Sequence, residues 1–298
     1  MKIVVTGSLG NISEPLAIRL LEKGHAVTVI SSDPGRQTAI ELVGAAAAIG
    51  SVDDPEFLAG AFAEADAVYA MVPPNGRAAD QPAYYRRVGR NYARAIQHGV
   101  RRVVHLSNWG ASLALQASNL PSNFSDTHAV EELLAELPGL ALTHLRPTFF
   151  FTNYYWFSGM IREAGFLGTN CSGSRRVPFV HPRDIAAAAA QELTAADKCG
   201  RTVRYVASDE RSFDEVVRVV GAALGRPDLR WVIFSDEQMR QRLLQSGLPG
   251  TMADDVVNLY RALGTGRLGE EYQRQHPALG EVKLEDFAQE FAATFQPI

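Results

Sequence analysis

A short segment near the amino terminus, TGSLGNIS at residues 6–13, has residue types that suit the binding of a phosphate group. It follows the apolar run MKIVV, and its small residues Gly7, Gly10 and Ser13 recur every three positions. Gly7 would permit a tight turn, Gly10 would let a phosphate approach the backbone, and Ser13 would let the next helix pack closely on the strand. The amino end of a helix attracts a phosphate because its first N–H groups are free. An ordinary strand-to-helix turn is the alternative interpretation.

The chain around this segment alternates short apolar runs with longer amphipathic ones. Strands are predicted at KIVVTG, AVTVIS, AAAAIGS, DAVYAMV, RRVVHLS and LALTHLRP, and helices at PLAIRLLEK, GRQTAIELVG, DPEFLAGAFAEA, residues 84–98 and DTHAVEELLAEL. Strands that lack polar alternation and are separated by helices indicate a parallel sheet covered on both faces. The predicted fold class is therefore α/β, a doubly wound parallel sheet. The turn after its first strand lies at the edge where nucleotides bind, which favours the phosphate interpretation of TGSLGNIS.

The pattern changes after residue 150. The aromatic stretch FFFTNYYWF leads to a glycine-rich loop, and the segments RVPFVHPRDIAAAAAQEL and RTVRYVAS are predicted to rejoin the sheet. From about Asp209 onward the chain is helical and polar, which indicates a smaller domain. The predicted organisation is a dinucleotide-binding domain over residues 1–150, joined by 176–207, and a mainly helical substrate domain formed by 151–175 and 208–298.

The composition argues against several classes of function. Hydrophobic residues make up 46%, charged residues 21%, and the formal net charge is −4, so no basic surface for a nucleic acid is indicated. No apolar run approaches the roughly 18 residues of a membrane span, and no signal peptide is expected before the first strand. Cys171 and Cys199 form neither a disulfide framework nor a metal site by themselves, and no other spacing indicates a metal. We expect a cytoplasmic protein, monomeric or homodimeric, without a nucleic-acid or membrane partner.

These features together resemble the NmrA-like proteins, an atypical branch of the short-chain dehydrogenase/reductase superfamily. The resemblance covers nearly the whole chain and rests on VTGSLGNIS, IGSVDDPEFLAGAF, VRRVVHLSNWGAS, HAVEELLAEL followed by LTHLRPTFFFTNYY, and VPFVHPRDIAAAAA. It implies a Rossmann fold, a bound dinucleotide that is usually NADP, and a small C-terminal substrate domain. The dinucleotide loop would then consist of Gly7, Ser8, Leu9, Gly10, Asn11 and Ile12.

The end of the second strand decides which dinucleotide is expected. An acidic residue there would hydrogen-bond the ribose of NAD, and a basic residue would pair with the 2′-phosphate of NADP. The sequence has Ser31 and Ser32 at this point, where the family often has an arginine in place of Ser32, followed by Asp33 and Arg36. Asp33 favours NAD but is equally typical of a turn before proline. We expect NADP, with the two serines and Arg36 around its phosphate, and NAD as the alternative.

The resemblance places further cofactor contacts after the later strands. Asp53 or Asp54 corresponds to the position beside the adenine, although either could instead cap the following helix. The other flank of the cofactor and the remaining contacts are expected to be formed by Met71, Val72, Pro73, Ser107, His128, Pro147 and Phe149.

Proton transfer in typical members of the superfamily uses a tyrosine followed four residues later by a lysine. This sequence has no Tyr-x-x-x-Lys, and the corresponding helix positions hold Phe124 and His128. Reductases of this family that lack the tyrosine resemble this arrangement, with a lysine or histidine at the same place. His128 could therefore donate a proton or a hydrogen bond to a carbonyl that receives hydride. The alternative is a histidine that contacts only the cofactor ribose or solvent.

Three other polar residues have competing interpretations. Ser107 resembles the active-site serine of the superfamily in position, but a strand-end hydroxyl also bonds readily to local backbone. His105 and His144 lie inside apolar strands and are expected to be core histidines whose hydrogen bonds are satisfied.

The same resemblance implies that the aromatic segment RPTFFFTNYYWF covers the nicotinamide and forms one wall of a substrate pocket. Such a pocket suits a flat or hydrophobic small-molecule substrate, for example a quinone or an enone, although core packing claims some of these rings. Phe149, Asn153 and Tyr154 are expected to face the substrate. Asn108 and Trp109, which follow the fifth strand, are expected to join them.

The sequence therefore predicts an NADP-dependent oxidoreductase that transfers hydride to a small carbonyl, quinone or similar electrophile without a Tyr-Lys pair. Hydride transfer needs mainly a well-placed nicotinamide, which the protein orients. The alternative is a non-catalytic protein that senses NAD(P), like the regulator that gives the family its name. The aromatic cluster favours the enzyme, because a sensor needs no substrate cavity. An epimerase of nucleotide sugars is disfavoured because its chemistry depends on the missing tyrosine.

Overall fold

The structure is a computed structural model that describes residues 1–76, 78–113, 120–196 and 199–295. The strands are β1 (Lys2–Val5), β2 (Ala26–Ser31), β3 (Ala46–Ile49), β4 (Ala67–Ala70), β5 (Arg102–Leu106), β6 (Ala141–Pro147), β7 (Phe149–Phe150), β8 (Phe166–Thr169), β9 (Arg176–Val180), β10 (Arg201–Val206), β11 (Asp209–Ser212) and β12 (Arg230–Ile233). The helices are α1 (Ser13–Glu22), α2 (Gln37–Leu42), α3 (Pro55–Phe62), α4 (Gln81–Ile96), α5 (Ser122–Ala135), α6 (Ser158–Ala164), α7 (Pro182–Thr194), α8 (Phe213–Ala223), α9 (Asp236–Gln245), α10 (Gly250–Thr265), α11 (Glu270–Gln275) and α12 (Leu284–Thr294). None of the helices in these ranges combines the length and the apolar character that crossing a bilayer requires.

The first compact unit comprises Met1–Ser112, Asn123–Pro147 and Ile185–Arg204. The large sheet has seven strands in the order β10-β6-β5-β4-β1-β2-β3, and the pairs from β3 across to β6 are parallel. The chain builds from β1 outward to β3 and then crosses to β4 on the other side of β1. The loops after β1 and β4 therefore flank a topological switch point, where doubly wound sheets bind ligands. The predicted α/β fold with a doubly wound sheet is confirmed.

Helices α3 and α4 pack on this sheet through a core of large apolar side chains. Every residue of β4 is buried, which explains why the strand shows no polar alternation. Phe62 of α3 and Tyr92 of α4 are stacked with their ring centroids 6.2 Å apart, and both belong to a cluster with Val68 of β4. Burial of each large apolar side chain stabilises a fold by about 1.5–3 kcal/mol. This packing fixes β4, and with it the loop that follows β4.

The second compact unit comprises Leu113–Ser122, Thr148–Asp184 and Tyr205–Ile298. It contains a three-stranded sheet in the order β11-β9-β7 and a two-stranded sheet of β12 and β8. Helix α6 and helices α8 to α12 also belong to this unit. Several of its helices begin with a side-chain cap, and Ser212 and Glu215 form a capping box at the start of α8.

One predicted strand lies in a different sheet from the one expected. The sequence predicts that 176–207 rejoins the large sheet, but β9 pairs in parallel with β7 and antiparallel with β11. Aromatic packing accounts for this placement, because Phe179 of β9 stacks on Phe151 at a centroid distance of 5.0 Å and meets Phe149 edge-on. The expectation is therefore wrong for β9, whereas β10 belongs to the large sheet.

Candidate functional site

The loop after β1 has a backbone conformation that only certain residues adopt. Gly7 has φ +95°, and Ser8, which is not a glycine, has φ +56°. A Cβ on Gly7 would lie 2.8 Å from Ser13 Oγ and 2.9 Å from Met71 Sδ, so no larger residue fits without displacement. Two successive left-handed residues are uncommon, and strain of this kind is concentrated at ligand-binding loops. An ordinary turn requires neither feature, which favours the phosphate interpretation.

The amino end of α1 is left open toward this loop. No side chain from the described part of the protein caps the first turn of α1, which has Ile12 as its capping position. The hydroxyl of Ser13 is turned away, since it donates to the carbonyl oxygen of Thr6 at 2.8 Å. Gly10 accepts from the N–H of Glu14, so the loop leads directly into the helix. A free helix amino end beside a glycine loop fits the pyrophosphate of a dinucleotide.

The end of β2 joins this loop through two serine hydroxyls. Ser8 Oγ donates to Ser31 Oγ at 3.1 Å, and Ser31 Oγ accepts from the N–H of Asp33 at 3.2 Å. Ser31 is buried, so its hydroxyl holds the two loops together rather than standing free in solvent. The structure thereby brings the predicted phosphate loop and the predicted ribose-recognition segment side by side.

The residues after Ser31 differ in how their side chains are used. The carboxylate of Asp33 accepts from the N–H of Gly35 at 2.9 Å and caps a short 3-10 turn at 34–36. The side chains of Ser32 and Arg36 are exposed. The acidic group is thus engaged in the turn, whereas a hydroxyl and a guanidinium remain available for a phosphate.

The two aspartates after β3 have separate roles. Asp54 caps α3, because its carboxylate accepts from the N–H groups of the first turn. Asp53 accepts two hydrogen bonds from Arg87 at 2.5 and 2.8 Å, and these bonds lower the pKa of its carboxyl. Asn91 donates to the backbone oxygen of Asp53 at 3.0 Å. Of the two alternatives for the adenine position, Asp53 therefore remains the candidate.

The segment after β4 is tied firmly to β1 and α4. The N–H of Met71 donates to Thr6 Oγ1 at 2.8 Å, and its carbonyl accepts from the hydroxyl of Tyr92 at 2.6 Å. The carbonyl of Pro73 accepts from a tyrosine hydroxyl of α4 at 2.9 Å. Val72 is buried in the apolar cluster of the first unit, so its side chain serves packing. Met71 and Pro73 are the residues of this segment that lie partly exposed.

Ser107 and His128, the two predicted catalytic residues, have buried polar atoms that make no hydrogen bond of ordinary length with the described residues. Ser107 Oγ is one of them, and both ring nitrogens of His128 are the others. The nearest carboxylate oxygens to His128 belong to Glu131, 3.7 Å from Nδ1, and Glu132, 3.6 Å from Nε2. Buried polar groups are nearly always bonded, so these atoms indicate where a ligand supplies partners.

A buried ion pair lies next to these residues. Arg146 of β6 binds Glu131 of α5 with two hydrogen bonds of 3.0 and 2.7 Å, and both side chains are buried. Burial is the largest single influence on Glu131 and would raise its pKa, but Arg146, His144 and Ser107 together outweigh it and bring that pKa to about 2. A permanent carboxylate thus lies beside the imidazole of His128. This pair was not predicted from the sequence, although Glu131 follows His128 by one helical turn.

The two core histidines are only partly satisfied. His105 Nδ1 and His144 Nδ1 lie 3.1 Å apart in hydrogen-bonding contact, but His105 Nε2 is buried without a partner among the described residues. Burial lowers the pKa of His105 to about 3 and that of His144 to about 4, so both rings are neutral at physiological pH. The expectation of fully satisfied histidines is therefore wrong for His105.

Asn108 and Trp109, which come after β5 and Ser107, serve the local fold. The side-chain nitrogen of Asn108 donates to Thr127 and to the backbone of Asn123, and its oxygen accepts from the N–H of Gly110. Both polar atoms of its side chain are bonded within the first unit, so the local fold accounts for this asparagine without a substrate contact. Trp109 is 4% exposed and packs in the interior. Pro147, the last residue of β6, is also buried.

The second unit contains a cavity of about 580 Å³ with mostly apolar walls. Phe149 and Asn153, two predicted substrate residues, line it. Trp156 and Phe157 of the same aromatic segment line it as well. The remaining wall residues were not predicted from the sequence; they are Gly159, Met160, Glu163, Ala164, Phe166, Met239, Arg242, Leu243, Gln245, Ser246, Leu248, Val256, Leu259 and Tyr260. A volume of about 300–1,000 Å³ with a few polar groups is typical of small-molecule sites.

Tyr154 lies in the core of the second unit, not in the wall of this cavity. Its side chain is 1% exposed, and its ring contacts Phe157, Phe179 and Phe287. Burial raises the pKa of its hydroxyl well above the usual value. Neighbouring aromatic residues of one segment therefore divide between core and cavity, contrary to the expectation that Tyr154 faces the substrate.

Known proteins are similar to this chain over most of its length. Residues 7–196 match the model of a family described as NAD(P)H-binding. The NAD(P)H azoreductase of Xenophilus azovorans is 26% identical over 258 residues, which are 87% of this chain and 86% of that protein.

Solved structures share the fold. Triphenylmethane reductase of Citrobacter sp. superposes with a TM-score of 0.81 at 20% identity and covers 99% of this chain and 100% of its own. An NADPH-dependent quinone oxidoreductase of Escherichia coli, solved with NADPH, gives a TM-score of 0.75 at 18% identity over 97% and 99% of the two chains. At such identities the likeness shows the fold, which agrees with the predicted α/β architecture.

Proposed function

Because this chain belongs to the NAD(P)H-binding family, we propose that it is an NADPH-dependent reductase of a small apolar or aromatic electrophile. The acceptor would be a quinone, an enone or a related carbonyl compound. The observation that carries the proposal is the cavity of the second unit, whose rings include Phe149 and whose polar groups include Asn153. A protein that only senses a dinucleotide has no need of such a cavity. The azo, triphenylmethane and quinone acceptors named for its relatives support the same class.

The cofactor preference follows from the residues after β2. The Asp33 carboxylate is held in its turn by Gly35, and a carboxylate in that role is a poor partner for the ribose of NADH. Ser32 and Arg36 are exposed and carry groups that bind phosphate. We therefore assign NADPH as the preferred cofactor. The first unit would hold it through the loop at 7–12, Ser31, Ser32, Arg36, Asp53, Met71 and Pro73.

The chemistry assigned to this chain is polarisation and protonation of the acceptor. The bound nicotinamide would supply the hydride. His128 would donate a hydrogen bond or a proton to the acceptor oxygen, and Ser107 would donate a second hydrogen bond. The Glu131 carboxylate lies 3.7 Å from Nδ1 of His128, where it helps to fix the orientation of the imidazole. No Tyr-Lys pair is required for these roles.

Loss of NADPH absorbance in the presence of a panel of quinones, enones and aldehydes tests the proposal. We expect steady turnover with at least one quinone or enone, and a fall of about 10²–10⁴-fold in kcat for His128→Phe if the residue is the proton donor. His98→Phe, at an exposed histidine after α4, is the matched control and should retain full activity. NADPH binding without turnover on any member of the panel would refute the enzyme and favour the sensor.

A further inference from the structure

The cavity of the second unit carries two charged side chains of opposite sign. Arg242 lies near the end of α9, and Glu163 lies near the end of α6. The charges of other arginines in the same region are compensated: Arg240 binds Asp254 at 2.6 Å, and Arg261 binds Asp236 at 2.6 Å. Among the described residues, no carboxylate forms an ion pair with Arg242. Its charge is therefore available to a ligand.

Aromatic rings hold the guanidinium of Arg242 at the cavity wall. Its central carbon lies 4.6 Å from the ring centroid of Phe234 and 5.9 Å from that of Phe166. Phe166 itself lines the cavity. A cation over an aromatic face is attracted by the ring, so the exposed side chain of Arg242 is held beside these two rings. A guanidinium placed in this way presents a planar set of donors that matches the oxygens of a carboxylate or sulfonate.

We propose that this cavity binds a flat, apolar or aromatic molecule with one anionic oxygen group, and that Arg242 pairs with that group. The proposal rests on the proposed function, since it names the substrate class of the same cavity. The apolar walls would take the ring system of the ligand, and Arg242 would fix the direction in which it enters. Glu163 repels an anion, so it restricts the charged end to the Arg242 side.

Two fluorescent probes that differ by a single charged group test this assignment without cofactor or turnover. Anilinonaphthalene sulfonate carries the anionic group, and N-phenylnaphthylamine has the same rings without it. We expect each probe to displace the other from the wild-type protein, with the sulfonate bound more tightly. In Arg242→Gln the sulfonate should bind about tenfold more weakly, because a charge-assisted hydrogen bond is lost. The neutral probe should change by less than about twofold, which also shows that the variant is folded.

Arg240→Gln is the matched control, because Arg240 lies on the same helix but pairs with Asp254 and does not line the cavity. It should leave both probes unchanged. Arg242→Lys keeps the charge without the planar donors and should give an intermediate loss for the sulfonate.

Three results would overturn the proposal. They are equal losses for both probes in Arg242→Gln, failure of the two probes to compete, and a wild-type protein that does not prefer the sulfonate. Because the probes are titrated without NADPH, these results are independent of turnover. A protein that binds the sulfonate through Arg242 but oxidises no NADPH would refute the proposed reductase and leave the anion site standing.

Discussion

The glycine loop of the first unit and the aromatic cavity of the second are built in different ways. In the loop, backbone conformation forms the proposed phosphate site: Gly7 and Ser8 both have positive φ, and α1 begins without a side-chain cap from the described residues. In the cavity, side-chain surface forms the proposed substrate site, with Phe149 and Tyr260 among the rings in its walls. We propose the first region for a charged group of fixed shape and the second for an apolar molecule. The difference predicts unequal sensitivity to mutation, since a strained backbone tolerates less change than an apolar wall.

The largest effect is expected from Gly7→Ala. An added Cβ would lie 2.8 Å from Ser13 Oγ, and left-handed backbone costs an L-residue about 1–2 kcal/mol. With the steric contact added, we expect NADPH to bind about 100-fold more weakly, since about 1.4 kcal/mol corresponds to tenfold. Isothermal titration calorimetry measures the change.

Gly24→Ala is the control for this experiment. Gly24 has φ +77°, but a Cβ there would meet nothing within 4 Å. We expect the free energy of unfolding to fall by about 1–2 kcal/mol with no change in NADPH affinity. Equal loss of binding in both variants would show that strain alone, and not the shape of the phosphate loop, accounts for the effect.

The second prediction is that acid lowers the free energy of unfolding through the buried pair His105 and His144. The pKa values of His105 and His144, about 3 and about 4, lie below the ordinary value of 6.5. Between pH 6.5 and pH 4 the unfolded chain binds protons at these histidines that the folded protein does not bind. The free energy of unfolding is therefore highest above about pH 6.5 and falls as the pH drops toward 4. Two histidines give a slope of up to about 2.7 kcal/mol per pH unit.

Urea unfolding followed by circular dichroism at several pH values measures this slope. His105→Gln should reduce it by about half, whatever its effect on stability at neutral pH. His98→Gln, at an exposed position, should not change it. A slope that is the same in all three proteins would contradict the assignment of the acid sensitivity to the buried pair.

A smaller effect is expected where the first unit meets the ribose. Arg36→Gln removes an exposed guanidinium and should weaken NADPH by about tenfold, the value of one charge-assisted hydrogen bond. NADH should bind as before, because it lacks the 2′-phosphate. Arg218→Gln, at an exposed arginine of α8, is the control. Parallel calorimetric titrations with NADPH and NADH measure the two affinities. An equal loss of affinity for both dinucleotides would place Arg36 outside the phosphate site.

The smallest effect is expected in the cavity wall. Met160→Ala removes part of one apolar wall and should raise the KM of a neutral quinone by about threefold, with kcat unchanged. Met252 is 46% exposed and does not line the cavity, so Met252→Ala should leave KM unchanged. A larger effect on kcat than on KM would indicate that Met160 orients the acceptor instead of only contacting it.

The glycine loop could be predicted from the sequence because its signal is local. Gly7, Gly10 and Ser13 recur at a fixed spacing, and the alternation of strands and helices around them fixes their place at the edge of a parallel sheet. The same alternation predicted the strands from β1 to β6. The partner of β9 could not be predicted, since a five-residue strand carries no information about which distant strand it pairs with.

The cavity could be predicted only in part, because its walls come from segments far apart in the chain. The aromatic run showed that rings gather near Phe149, but it did not distinguish Asn153, which lines the cavity, from Tyr154 in the core. Arg242 has no signal at all in the sequence, where it is one of two arginines on the polar helix α9. Its position becomes apparent only when Phe166 and Phe234 are seen beside it.

The most direct test of the central claim follows the hydride itself. NADPH labelled with deuterium at either face of its nicotinamide C4 would be incubated with the protein and an enone, and the reduced product would be examined by mass spectrometry and NMR. We predict that one of the two labelled forms transfers its deuterium to carbon of the product, at a rate that falls in His128→Phe. Binding of NADPH without deuterium in any product would contradict the reductase and leave a protein that only senses its dinucleotide.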